Sequence, residues 1–422
     1  MRSILVTLFM CAVLQAFPQF DAFFLPKTLR MDYYHTGDAT NETFSFDELL
    51  EEPFWGGSHT NLIDTFNYGQ YYVKVFDQKT TALIYSRGFT TLFSEWQTTA
   101  EAKSTKRTFS ESVVIPYPKN DATIELWSRN RKGILHKQFE YQVLSNNYFI
   151  NKQQRKKFPV FPIVKSGEPA QKIDIVIIPD GYSANEMDLF KADCENMARE
   201  MFSFSPYAEN KNKFNIYAVL APSNESGTDI PADAIWKQTV LNSTFYMFDL
   251  ERYCMTSDFK SVRDVAANAP YDQIYILVNS PKYGGGAIFN HYSLSVNSNK
   301  MAGKIFIHEL GHGFAGLADE YYNSAVAYND FYPLDVEPWE PNITTLIDFE
   351  KKWKTLIPEN IPIPTPENEK FKTLTGVFEG GGYAAKGIYR PRYDCLMNTF
   401  KDDTFCDPCK QAIQKMIDFY CN

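Results

Sequence analysis

The segment of this 422-residue chain with the clearest chemistry is His308-Glu309-Leu310-Gly311-His312, a His-Glu-x-x-His motif. Two histidines four positions apart lie one turn apart on the same helix face, so both imidazole rings can bind one metal ion. The glutamate between them then lies beside the metal, where its carboxylate can accept a proton from a bound water. The motif predicts a catalytic zinc site with His308 and His312 as ligands and Glu309 as general base.

A catalytic zinc ion usually has three protein ligands and leaves one position for water. Asp319 is the favoured third ligand, because Gly316 can turn the chain back toward the metal just before it. Glu320 is its close alternative. Three more distant candidates are His291, for which a structural role is favoured, Glu337 and Glu379. A purely structural zinc is disfavoured here because such sites prefer four cysteine or histidine ligands.

The elements that must position these residues follow a pattern of alternating strands and helices. Apolar residues on both sides of the motif predict a buried helix over residues 300–317. Residues 172–179, 214–221 and 273–279 are predicted strands, and residues 183–202 a helix that begins with a Ser183/Glu186 capping box. The glycine-rich residues 283–288 are expected to precede an edge strand through His291, where an extended peptide could pair.

The N-terminal part of the chain has a different pattern. Residues 24–145 contain short period-two runs at 70–76, 81–85, 112–116 and 122–127, which predict an antiparallel β-sandwich. His35, His59 and His136 are scattered there and indicate no catalytic site. The predicted organisation is a signal peptide (1–22), an N-terminal β-sandwich domain (23–148), a linker (149–170) and a zinc metallopeptidase domain (171–422).

Two segments of the chain also resemble a known family. The block from His308 to Tyr321, with Asp394-Cys395-Leu396-Met397-Asn398, resembles the metzincin clan of zinc peptidases. More narrowly, the chain resembles the secreted bacterial IgA peptidase family, and residues 32–37, 61–64 and 85–89 resemble the N-terminal domain of that family. The resemblance implies an α+β multidomain protein in which an N-terminal antiparallel β-sandwich precedes a metzincin-like α/β zinc peptidase domain.

The resemblance further implies that Met397 is the Met-turn residue, which forms a hydrophobic floor beneath the metal. In the common metzincin pattern the glycine falls three residues after the second histidine, and the third ligand six residues after it. Here Gly316 lies four residues and Asp319 seven residues after His312, so the third ligand stays open between Asp319 and Glu320. Tyr383, Tyr389 and Arg392 are further candidates, as donors to the transition state.

The N-terminus indicates export. Arg2 precedes an apolar run from Ile4 to Ala16 whose length is typical of a signal peptide, with cleavage after Ala16 or Ala22. A secreted, periplasmic or cell-surface location is therefore expected. No later apolar run approaches 18 residues, so no membrane span is predicted.

Six cysteines remain after the signal segment: Cys194, Cys254, Cys395, Cys406, Cys409 and Cys421. An even number in an exported chain favours disulfides, and a bridge from Cys395 to one of the last three would join the Met-turn to the C-terminal helix. The Cys406-Asp-Pro-Cys409 segment also fits half a zinc knuckle or a redox pair. Disulfides are preferred because no second pair or nearby histidine accompanies this segment.

Composition and charge restrict the partners. The formal net charge of −9 argues against nucleic acid and against anionic membranes as partners. We therefore expect a secreted zinc-dependent endopeptidase that acts on protein or peptide substrates through a zinc-activated water. The alternative is an exported protein- or glycan-binding module with an inactive peptidase-like domain; metal analysis and chelator-sensitive cleavage distinguish the two.

Overall fold

The computed structural model describes residues 19–323 and 331–421. Most of the predicted signal segment, with the cleavage position after Ala16, lies outside these residues. Phe20 is described: it is 3% exposed, stacks on the ring of His59 with centroids 3.7 Å apart, and belongs to the N-terminal core. Within the described ranges, no helix is both long enough and apolar enough to cross a bilayer.

The N-terminal region consists of two antiparallel sheets. Its strands are β1 (Phe24–Gly37), β2 (Glu42–Glu52), β3 (Tyr71–Asp77), β4 (Leu83–Phe89), β5 (Arg107–Pro118), β6 (Ala122–Arg129) and β7 (Leu135–Val143). One sheet has the order β2-β1-β5 and the other β4-β3-β6-β7. Two short helices, α1 (Phe20–Phe23) and α2 (Leu92–Trp96), accompany them. The four predicted strand segments lie in β3 to β6.

The period-two pattern explains how these sheets pack. Along β6, buried and half-buried residues alternate, so that Ile124 and Leu126 face inward. Apolar residues of both sheets form one cluster, which includes Leu29, Val75 and Ile124. The two sheets therefore enclose a common core.

The C-terminal region is built on one large sheet. Its strands are β8 (Val160–Val164), β9 (Ile173–Asp180), β10 (Phe214–Val219), β11 (Gln273–Val278), β12 (Gly285–Ile288) and β13 (Tyr292–Val296). The order is β12-β13-β11-β9-β10-β8, with parallel neighbours in the centre and an antiparallel strand at each edge. Strand β8 falls within residues 149–170, the predicted linker, and pairs with β10.

The helices of the C-terminal region are α3 (Met187–Met201), α4 (Phe259–Ala266), α5 (Ala302–Ala315) and α6 (Asp407–Cys421), and a small hairpin is formed by β14 (Phe378–Gly381) and β15 (Ala384–Arg390). The predicted helix at 183–202 is present, although its first turn, Ala184–Glu186, is a 3-10 helix. The Ser183 N–H donates to Glu186 at 2.8 Å, as the capping box predicts.

Both faces of the large sheet are covered, which explains why every residue of β9 is buried. Ile175 and Ile177 face the cluster that contains α3, α5 and α6. Val176 and Ile178 face a second cluster, which contains α4 but also residues of α2 from the N-terminal region. The N-terminal region therefore covers part of one sheet face.

A buried ion cluster reinforces this contact between the two regions. The Arg30 side chain is 1% exposed and donates two hydrogen bonds to Asp32, at 2.6 and 2.7 Å. It also bonds Asp264 of α4 at 2.7 Å, and Glu52 lies 3.8 Å away. Three carboxylates thus share one guanidinium, whose removal leaves buried negative charge unpaired.

We predict that Arg30→Met lowers the free energy of unfolding by about 3–5 kcal/mol, the cost of removing one partner of a buried ion pair. Chemical denaturation followed by fluorescence measures the change. Lys27→Met is the matched control, because Lys27 pairs with Glu51 at 2.6 Å but is 43% exposed. The control should cost less than about 1 kcal/mol. Equal losses in the two variants would show that the Arg30 cluster does not hold the regions together.

Candidate metal centre

Helix α5 carries the His-Glu-x-x-His motif and ends where the glycine signal predicts. Gly316 caps the helix in the left-handed conformation (φ +63°), which L side chains rarely adopt. Its N–H donates to the His312 carbonyl at 3.0 Å, and the N–H of Leu317 donates to Gly311 at 3.2 Å. The chain then turns back, and Asp319 returns to the face of α5 that carries both histidines.

Three acceptor atoms converge at this point. Oδ1 of Asp319 lies 3.1 Å from Nε2 of His308 and 3.3 Å from Nε2 of His312. The two Nε2 atoms are themselves 3.1 Å apart. All three side chains are largely buried, and Asp319 Oδ1 has no hydrogen-bond donor among the described residues. The structure therefore brings together the two histidines and the favoured third ligand predicted from the sequence.

The second ring nitrogens fix the orientation of the imidazoles. Nδ1–H of His308 donates to the Leu396 carbonyl at 2.8 Å, and Nδ1–H of His312 donates to the Leu317 carbonyl at 2.5 Å. These bonds leave both Nε2 lone pairs pointing at the carboxylate. Tyr383 holds the other oxygen of Asp319 through a 2.7 Å hydrogen bond. Two imidazole nitrogens and a carboxylate in this arrangement can bind one cation together.

The electrostatics of the group agree with a cation at this position. Burial alone would favour neutral groups, yet Asp319 raises the pKa of His312 to about 9. Against the same burial, His312 and His308 hold the pKa of Asp319 well below its usual value. Two imidazole nitrogens and one carboxylate oxygen form a donor set that suits a divalent transition-metal ion. The residues present therefore fit a bound metal.

Glu309 lies beside this group. One of its carboxylate oxygens is within 4.8 Å of the ligand nitrogens of both His308 and His312. Burial raises the pKa of Glu309. Gly285 of β12 leaves room for it, since a Cβ on that glycine would lie 3.1 Å from Glu309 Oε1. A buried carboxylate in this position can exchange a proton with a water between it and the imidazoles.

Met397 packs beneath the helix. Its side chain is fully buried, and its Sδ lies 3.0 Å from where a Cβ of Gly311 would be. A Cβ on Gly313 would lie 2.2 Å from Ser293 Oγ on β13. Gly311 in the motif and Gly313 just after it therefore lower the helix propensity of α5 but allow close contact with the Met397 sulfur and with the sheet.

The other residues that the sequence suggested as metal ligands or transition-state donors have other partners. Glu320 points to Cys409, with Oε1 and Sγ 3.2 Å apart. His291 is buried between Phe89 and Phe259, and burial beside Arg263 lowers its pKa well below the usual value, in keeping with the structural role favoured for it. Three others have bonds of their own: Glu337 accepts from Thr345 and Asp348, Glu379 pairs with Lys386, and the backbone of Tyr389 pairs with Thr344. Arg392 faces Asp402 at 3.9 Å.

The expected disulfides are not seen. All six cysteines are free thiols in the described part of the chain. Cys395 and Cys409 approach to 4.0 Å between sulfur atoms, and Cys406 lies in the same cluster. Cys194 and Cys254 are buried in different hydrophobic clusters on the two faces of the large sheet, which keeps them apart.

A cleft of about 1600 Å³ includes both histidines and Glu309 in its lining. Its walls come from both regions of the chain. Glu95 and Arg129 of the N-terminal region contribute, and Tyr253 of the C-terminal region bonds Glu95. Arg252 also lines the cleft and donates to Tyr321 at 3.0 Å. Sequence reasoning missed these residues, because no local pattern marks residues that meet only through tertiary packing.

The edge strand of the sheet lines the same cleft, but it differs from the expected one. The glycine-rich run itself forms β12, and residues 289–291 form the turn to β13. Gly285 N–H donates to Arg252 at 3.2 Å, and Phe289 N–H donates to Thr90 at 2.9 Å. Because backbone groups alternate in direction along a strand, those of Ala287 point outward too. Between Gly285 and Phe289, Ala287 is therefore the residue whose backbone N–H and carbonyl can pair with an additional strand.

The comparison with known families gives the same picture. A model described as IgA Peptidase M64 matches residues 161–374 and 367–417, and a model described as Peptidase M64 N-terminus matches residues 19–140. The search of curated proteins found no significant match. The predicted family is confirmed: the chain belongs to the IgA peptidase M64 family of metallopeptidases and contains the N-terminal domain of that family.

Proposed function

We propose that this metallopeptidase is a zinc-dependent endopeptidase that cleaves an extended protein or peptide segment in the cleft. The observation that carries the proposal is the convergence of His308, His312 and Asp319 with Glu309 beside them. Two imidazoles and one carboxylate form the ligand type of catalytic zinc sites, which keep a position for water. The cleft exceeds the roughly 300–1,000 Å³ of small-molecule pockets, which supports a polymeric substrate.

The arrangement also supports a metzincin-like site. Met397 lies beneath the motif helix next to Gly311, and the chain segment after Gly316 supplies the third ligand. The Leu396 carbonyl, next to Met397, orients His308. The Met-turn segment thus has two contacts with the helix, one through a side chain and one through the backbone.

In the proposed reaction, a zinc ion held by His308, His312 and Asp319 would lower the pKa of its bound water and polarise the substrate carbonyl. Glu309 accepts the proton of the attacking water as the new carbon–oxygen bond forms. It then donates that proton to the leaving amine nitrogen as the peptide bond breaks. Ala287 aligns the substrate backbone, and Tyr383 keeps Asp319 directed at the histidines.

We predict that Glu309→Gln lowers kcat by about 10²–10⁴-fold, the usual contribution of a general acid–base group, while zinc content stays unchanged. Cleavage of a mixed peptide library and elemental analysis measure the two quantities. Glu379→Gln is the control, because Glu379 pairs with the exposed Lys386 at 2.8 Å. Chelation should abolish cleavage, and added zinc should restore it. Undiminished turnover by Glu309→Gln would remove Glu309 from the mechanism.

A graded series tests Asp319 as the third ligand. Tyr383→Phe removes a hydrogen-bond partner of the ligand and should weaken zinc binding about 10- to 100-fold. Asp319→Asn should weaken it more, because a ligand is lost. Asp335→Asn, which changes an exposed carboxylate of the same cleft, should leave affinity unchanged. Competition with a zinc-binding dye gives the affinities. If Asp319→Asn binds zinc as tightly as the Asp335 control, Asp319 is not a ligand.

The edge-strand contact is tested at Ala287. Proline there removes an outward N–H without removing a bond to β13, and edge strands tolerate proline in such positions. Loss of one backbone hydrogen bond, about 0.5–1.5 kcal/mol, should lower kcat/KM for a long peptide by about 2- to 13-fold. Ala287→Ser keeps the N–H and serves as the control. Equal kcat/KM in the two variants would argue against pairing with β12.

A further inference from the structure

A second cluster of metal-binding side chains lies behind the candidate zinc site. Glu320, Cys395, Cys406 and Cys409 each offer one ligand atom, and these atoms all lie within 4.8 Å of one another. All four side chains have no solvent exposure. Sγ of Cys409 lies 3.2 Å from Glu320 Oε1 and 4.0 Å from Sγ of Cys395, and Sγ of Cys406 lies 3.8 Å from Glu320 Oε1.

These separations match one ion at the centre of the cluster. A tetrahedral zinc ion with bonds of about 2.0–2.3 Å places its donor atoms about 3.3–3.8 Å apart. The separations of 3.2, 3.8 and 4.0 Å lie within a few tenths of an ångström of that range. We infer that Glu320, Cys395, Cys406 and Cys409 bind a second zinc ion in a closed, four-coordinate structural site. Thiolate ligands favour zinc over calcium or magnesium, and four buried donors leave no position for water.

A disulfide accounts for the cluster less well. Joining two of the three cysteines leaves an odd thiol and a buried glutamate. Glu320 Oε2 has no hydrogen-bond partner among the described residues, and Oε1 accepts from Asn342 at 3.0 Å. Arg390 is close enough for its charge to act on Glu320, but its guanidinium hydrogen-bonds Glu367 at 2.7 Å. A buried carboxylate without a paired cation is costly, and a metal ion removes that cost.

The second site would join three segments that support the first. Cys395 precedes Leu396, whose carbonyl orients His308. Glu320 follows Asp319, and its N–H donates to the Met397 carbonyl at 2.7 Å. Cys409 lies in the first turn of α6, and Cys406 immediately precedes that helix. A zinc ion in the cluster would therefore fix the loop after α5, the Met-turn segment and the start of α6 relative to one another.

Zinc stoichiometry tests the inference on the full chain. Native mass spectrometry with elemental analysis should find two zinc ions per wild-type chain. His308→Gln/His312→Gln should retain one, and its zinc-edge X-ray absorption should show sulfur neighbours at about 2.3 Å. Cys406→Ser/Cys409→Ser should lose the sulfur-bound ion. Cys254→Ser is the control, because it removes a buried cysteine outside the cluster and should leave two ions bound.

The outcomes distinguish this inference from the proposed function. A histidine variant without zinc, or zinc with only nitrogen and oxygen neighbours, would overturn the second site. A disulfide between two of the three cysteines would also overturn it. In that case the unfolded wild-type chain would carry two fewer thiol-blocking groups than its cysteines allow. If the cysteine variant does not fold, the zinc-edge spectrum of the histidine variant still shows whether sulfur atoms bind the remaining ion. A wild-type chain with sulfur-bound zinc alone would uphold the second site and refute the catalytic one.

Discussion

The carbonyl groups of Leu396 and Leu317 impose the constraint on which the candidate site depends. Each accepts the Nδ1–H of one histidine, so the two Nε2 lone pairs must face each other and Asp319. Three acceptors at about hydrogen-bond distance repel one another unless a cation lies between them. The backbone therefore orients the three acceptors so that a positive charge between them is favourable even without a metal ion. The raised pKa of His312 shows that a proton can supply this charge.

The N-terminal region contributes to this site through packing. Residues of α2 cover part of the second face of the large sheet, and the buried Arg30 cluster bonds to α4. Thr90 exchanges two hydrogen bonds with Phe289, at the end of β12. One end of the edge strand β12 is thus held by the other region. The cleft is a property of the assembled chain, because residues from both regions form its walls.

Much of the site could be predicted because the information is local. Helical spacing places His308 and His312 on one face, and a left-handed glycine after the helix returns the chain. Period-two runs predicted strands β3 to β6, and the apolar run at 172–179 predicted β9. The cleft walls could not be predicted, because Arg252 and Glu95 lie far from the motif in sequence. The cluster of Cys395, Cys406 and Cys409 could not be predicted either, since sequence spacing does not reveal that Glu320 lies among them.

The acidic pair after Gly316 shows how packing decides what spacing leaves open. Asp319 and Glu320 have nearly equal reach from the turn, and both carry a carboxylate. Adjacent side chains leave the backbone in different directions, so only one can face the imidazoles. The N–H of Glu320 is bonded to the Met397 carbonyl, and its side chain enters the cysteine cluster. Tyr383 holds Asp319 on the opposite side. Two neighbouring carboxylates thereby face two different groups of side chains, the two histidines and the cysteine cluster.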